Sequence, residues 1–221
     1  MRNIILIIIE VIISYIILIF LSKKHKKNGI YIYAIIGSFI SCIMSIKNIS
    51  IMEISIPTGL GITTSLLIGG NLLIQNYGKE NLKYYLAIIF LTCILGSTFL
   101  NLSGLMEPSE YNLLANKSYS SIFAYNIRTY VALVISLTIS IYISSNLYYM
   151  LKRLQNNILL SNIFTFVIVE FIENIIFVLI AYTYNYQIVD IALCICFRYI
   201  IKTIIGIIGT IPLYIVNNYN E

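Results

Sequence analysis

Glu170, Glu173 and Asn174 sit inside an apolar run from about Ile158 to Tyr184. Residues three and four apart share a helix face, so these three polar side chains point the same way. A charge at the centre of a membrane helix costs about 2.5–3.5 kcal/mol on insertion scales, and two cost roughly twice that unless paired, protonated or facing water. Two readings meet that cost: a structural ion pair inside a helix bundle, or a substrate or ion site. Arg198 and Lys202, four apart in the next apolar run, supply partners. A very short turn around Asn185 separates the two runs, so their helices are antiparallel. Glu170 lies about fifteen positions before that turn and Lys202 about as far after it, which at about 1.5 Å per residue brings them to similar depth. A network of Glu170 and Glu173 with Arg198 and Lys202 is the economical solution. Desolvation offsets most of the attraction in such a network, which makes it weak evidence of stability. It is better evidence of a site, since intramembrane charges mark substrate and ion paths.

Asn71 and Gln75 form a second polar pair, four apart and beside Gly69 and Gly70, which allow close approach of another helix or a ligand. They read either as an interhelical amide clasp or as a wall of a substrate cavity. Hydrolytic chemistry has no constellation here: there is no His-Glu metal motif, nucleophile elbow or Walker loop. His25, the single histidine, lies in a lysine cluster. Cys42, Cys93, Cys194 and Cys196 fall inside apolar runs, with neither disulfide nor zinc spacing. We expect no catalytic residue, metal or cofactor.

The elements that must position these residues follow from composition. Of 221 residues, 59% are hydrophobic and 10% are charged, with mean hydropathy +0.91. Soluble domains carry about 25% charged residues, so the chain is a polytopic membrane protein in a lipid bilayer. Its net charge of +5 comes from lysines dispersed in short loops and does not point to nucleic acid. The fold class is an all-α membrane helix bundle of six to seven transmembrane helices, one domain over 1–221. Candidate spans are about 3–21, 30–46, 58–77, 84–102, 123–150, 158–184 and 188–216. The first contains Glu10 and lacks a cleavage site, so it reads as a true span, with its place in the functional core left open. Lys23-Lys24-His25-Lys26-Lys27, then Lys79 and Lys83, then Lys152 and Arg153 follow alternate spans, whereas the intervening loops carry Glu53, then Glu107 and Glu110. Basic loops stay cytoplasmic, which puts the N-terminus outside and the C-terminus in the cytoplasm.

Around the third span the chain resembles the queuosine precursor transporters, also called the vitamin uptake transporter family. The residues are Ile56-Pro57-Thr58-Gly59-Leu60, a polar helix, then Tyr77-Gly78-Lys79-Glu80. The likeness runs from about Gly29 to Tyr214. It takes in the segment Ser41–Lys47, Arg128 at the head of the fifth span, Asn162 through Phe177, and Lys202 with Thr210-Ile211-Pro212-Leu213-Tyr214. The chain departs from the family at several polar positions. Its intramembrane asparagine falls at Cys42, its acid pair at Asn71 and Gln75, a further polar group at Ser140 and Ser144, its later glutamine and aspartate at Glu170 and Glu173, and an aspartate at Gly209.

The resemblance implies import of a 7-deazaguanine base, queuine or a similar small heterocycle across the cytoplasmic membrane. We expect Asn71, Gln75, Glu170, Glu173, Asn174 and Lys202 to bind substrate, with Arg128 at the outer mouth. Arg198 and Lys47 extend the charge network. Carboxylates accept from an N–H edge such as that of guanine. The alternative is a binding subunit that depends on an energy-coupling ATPase module and carries another substrate.

Overall fold

The computed structural model describes residues 2–107, 111, 113–124, 126–183 and 186–217. Glu110, Tyr184 and Asn185, used above to delimit loops and spans, lie outside the described residues. Helix α1 covers Arg2–Met44 and breaks at Lys26, whose φ of 52° and ψ of −130° are not helical. The break makes two arms. Gly29 is where they meet: a Cβ there would lie 1.9 Å from the Leu21 carbonyl oxygen. Each arm buries one stripe and turns its bulk outward. In the first, Ile7, Val11, Ser14, Tyr15 and Leu18 are buried, whereas Ile5, Ile8, Ile12 and Ile16 are exposed. In the second, Gly37, Ser38, Ser41 and Cys42 face inward and Ile35, Ile36 and Phe39 outward. In the second arm, small residues inside and large aliphatics outside are what a helix needs when lipid is its solvent.

A two-stranded hairpin follows, β1 Asn48–Ile51 and β2 Ile54–Pro57, antiparallel with Ile51 opposite Ile54. The sequence reading had only a loop here. Met52 and Glu53 both take positive φ, at 49° and 67°, as a two-residue hairpin turn requires. Helix α2, Leu60–Tyr77, starts at Gly59 in the left-handed region and is buried from Leu60 to Ile74. It is the central helix, with α1, α5, α7 and α8 packed around it. Its polar residues exclude it from the helices apolar enough to face lipid.

Beyond a single 3-10 turn, Lys79–Asn81, come α3 (Leu82–Leu105), α4 (Leu113–Phe123), α5 (Ile127–Gln155) and α6 (Ile158–Tyr182). The chain then forms α7 (Ile188–Ile208) and α8 (Thr210–Asn217). Helix α4 was not foreseen, and the expected start of the fifth span at residue 123 belongs to it. The expected run 188–216 is two helices divided at Gly209. A Cβ at Gly209 would come within 2.5 Å of Ile68, so this position admits the chain close to α2 only without a side chain.

Five stretches among the described residues are long and apolar enough to cross a membrane: Arg2–Met44, Lys79–Leu105, Ile127–Gln155, Ile158–Tyr182 and Ile188–Val216. With the arms of α1 separate and buried α2 included, they form an all-α polytopic bundle. Its two ends differ. The hairpin lies at the α6–α7 end, where the Tyr182 hydroxyl donates to Asn48 at 2.8 Å. At the other end Lys79 and Arg153 both lie over the Tyr149 ring, and Tyr31 reaches the Asn81 carbonyl. The three basic loops thus gather at one end.

Candidate functional site

Helices α6 and α7 bring four ionisable groups together. Lys202 Nζ lies 2.8 Å from Glu170 Oε2 and 2.8 Å from Glu173 Oε2. Arg198 Nη2 donates to both oxygens of Glu173 at 3.3 Å. The exposure of Glu170, Glu173 and Lys202 is 0%, and that of Arg198 is 2%. Two carboxylates and two cations sum to neutrality, which is the condition for keeping them away from water. Close approach of the two helices makes the cluster feasible: a Cβ on Gly206 would lie 2.1 Å from the Phe166 ring. Asn162 ties them further, donating to the Gly206 carbonyl and to Thr210 Oγ1, each at 2.8 Å.

The tetrad has hydrogen-bonding capacity to spare. The two Lys202 contacts are short but poorly aligned for hydrogen bonds, and Arg198 Nε and Nη1 have no partner. Asn174, fully buried, donates to the Glu170 carbonyl oxygen at 2.6 Å and leaves its own side-chain oxygen unpaired. Helices α2 and α5 add only long contacts: Thr64 to Glu170 and Ser136 to Glu173, both 3.5 Å. The Phe177 ring stacks under Arg198, with 4.1 Å from guanidinium carbon to ring centre, and covers one cationic face.

Asn71 and Gln75 lie apart from the tetrad and link helices, as the clasp reading of the sequence has it. Asn71 is seven residues beyond Thr64 on α2, or about 10 Å further toward the basic end. It accepts from Ser144 on α5 at 3.0 Å, and its Nδ2 is buried without a partner. Gln75, one turn further, accepts from the Tyr148 hydroxyl and donates to the Leu213 carbonyl at 3.3 Å, linking α2, α5 and α8. A polar stripe joins the two clusters. Ser136, Ser140, Ser144 and Tyr148 follow each other at intervals of four on one face of α5, with Ser140 Oγ buried and unpaired between them. Sequence reasoning met Ser140 and Ser144 only as departures from a family pattern. Their four-residue spacing was the readable signal.

A cavity opens at each end of the bundle. At the hairpin end, about 260 Å³ is lined by Glu53, Ser55, Tyr182, Tyr186, Asp190 and Cys194 among others. At the basic end, another of about 260 Å³ is lined by Ile74, Gln75, Tyr149, Lys152, Arg153 and Asn156. Neither reaches the tetrad, which is closed from both sides. Two expected site residues stay outside the cluster. Lys47 is exposed at the base of the hairpin, where its carbonyl accepts from Thr58 N–H at 2.8 Å. Arg128 is exposed in the first turn of α5.

The first arm belongs to this core. Glu10 Oε1 accepts from the Ile62 N–H at 3.0 Å at the start of α2, where the helix dipole favours an anion. The Tyr15 hydroxyl donates to the Ile205 carbonyl on α7 at 2.7 Å.

The family model described as "Putative vitamin uptake transporter" matches residues 57–216, well over half the chain. No curated relative and no solved structure matches.

Proposed function

The chain belongs to the vitamin uptake transporter family, and we propose that it imports a small, flat, N–H-bearing heterocycle, a queuosine precursor or queuine, through the site between α6 and α7. The observation that carries this reading is the buried tetrad with unused hydrogen-bonding capacity. A purely structural ion cluster does best when every donor and acceptor is satisfied, since each buried group left unmade costs about 1–3 kcal/mol. Here Arg198 Nε and Nη1, Asn71 Nδ2 and Ser140 Oγ remain as donors, and the Asn174 side-chain oxygen as an acceptor. A 7-deazaguanine edge carries both kinds of group and complements such a set.

Glu170 and Glu173 take the N–H edge, and one of them accepts a proton during the cycle. Lys202 and Arg198 hold their charge, Asn174 orients the ring, and Asn71 is the next station on the way through. Gln75 closes the path below it. Arg128 stands at the outer mouth. The gathering of the basic loops at one end supports a cytoplasmic assignment for that end. The N-terminus is then outside, the C-terminus inside, and the membrane is the cytoplasmic one.

The test is uptake of radiolabelled queuine by proteoliposomes holding only this chain. Wild type accumulates queuine, and Glu170→Gln and Glu173→Gln lose either accumulation or its pH dependence. Uptake unchanged in both variants, or absent from wild type without an added ATPase, removes the reading.

A further inference from the structure

The cavity at the hairpin end lies one helical turn along α7 from the tetrad. Cys194, in its wall, is one helical turn before Arg198 on α7. Tyr182, also in the wall, meets the Phe177 ring edge-on at 6.1 Å, and Phe177 lies under Arg198 at 4.1 Å. Tyr186 meets Tyr182 in turn at 5.1 Å and is 38% exposed. An aromatic ladder, Tyr186, Tyr182, Phe177, therefore descends from the cavity to the unpaired guanidinium nitrogens of Arg198. Two carboxylates, Glu53 from the hairpin turn and Asp190 from the first turn of α7, complete the lining. Both are exposed.

We propose that this cavity is a loading vestibule that takes a flat heterocycle bearing a positive charge or several N–H donors. The ring stacks on Tyr186 and Tyr182, and Glu53 and Asp190 accept from its N–H groups. The vestibule then delivers the ring to Arg198 and Glu173 when the tyrosine ladder parts. Paired carboxylates in a concave wall concentrate cations locally. An aromatic face binds them further. The basic-end cavity, with Lys152 and Arg153 in its wall, has the opposite character and favours release of such a ligand. This inference rests on the transport reading above and specifies the first binding step on its path.

Cys194 is a built-in reporter for the vestibule. Right-side-out vesicles carrying the full chain with Cys196→Ala are treated with membrane-impermeant thiosulfonates, one cationic and one anionic. Cys194 reacts from the outside, the signal disappears in Cys194→Ala, and queuine slows it. The ratio of cationic to anionic rates falls by about fivefold or more in Glu53→Gln/Asp190→Asn. In the same double variant the KM for queuine uptake rises about tenfold while the maximal rate holds. Labelling only from the inner face, a rate ratio untouched by the double variant, or an unchanged KM each overturns the vestibule. Wild-type vesicles that do not take up queuine overturn the transport reading instead, and the charge ratio at Cys194 then reports on the vestibule's electrostatics by itself.

Discussion

Two polar clusters lie along one stripe about 17 Å apart, and they solve burial in different ways. Around Gln75 the groups are neutral, the amide both accepts from Tyr148 and donates to Leu213, and three helices are joined. Around Glu173 every member is ionisable, contacts are close but off axis, and donors are left over. The first arrangement resembles a fastening. The second buries charge in a membrane with donors left over, a costly arrangement and the one on which the proposed binding role rests.

The comparison is most directly broken at Glu173, which meets both Lys202 and Arg198. Glu173→Gln should lower stability by about 3–5 kcal/mol because it strands a buried cation, as thermal unfolding in detergent will read. Glu170→Gln should cost less, since Glu173 still faces Lys202. The charge-balanced pair Glu170→Gln/Lys202→Met should unfold at nearly the wild-type temperature, because removing both partners leaves no stranded charge. Its uptake should remain abolished. Recovery of uptake together with stability would reduce the tetrad to scaffold.

At the other cluster, Tyr148→Phe should lower stability by about 1 kcal/mol through one lost hydrogen bond and leave the KM for uptake as it was. A raised KM would move Gln75 from fastening to binding group. Smallest of all, Lys47→Ala should stay within about 0.5 kcal/mol of wild type with uptake intact, since its side chain is exposed at the hairpin base. A loss of uptake there would extend the charge network beyond the tetrad.

The charged cluster was legible before any coordinates because its cost is large and its geometry simple. Two helices joined by a short turn must match Glu170 with Lys202 in depth, and the structure brings the two to 2.8 Å. The all-α membrane bundle was legible for the same reason, since runs of isoleucine leave few alternatives. What was missed is where energies are small. The alternation Ile49-Ser50-Ile51 and Ile54-Ser55-Ile56 is a strand pattern, but without an Asn-Gly or Asp-Gly turn it passed for a loop. Helix α4 is short and polar beside its neighbours. How far Asn71 and Gln75 lie from the tetrad was not readable, because a shared helix face fixes direction but not depth. Thr64 on that same face, seven residues earlier, is the α2 group that meets Glu170.

Glu10 has a consequence for how the chain enters its membrane. Its acceptor oxygen is answered by an amide 52 residues further along. During synthesis the first arm emerges with a carboxylate and no partner, and the α2 amides that receive it have yet to be made. Until α2 is made, nothing in the arm offsets the cost of burying that carboxylate. Residues 1–56 fall outside the family match, yet their carboxylate caps the first helix that falls within it.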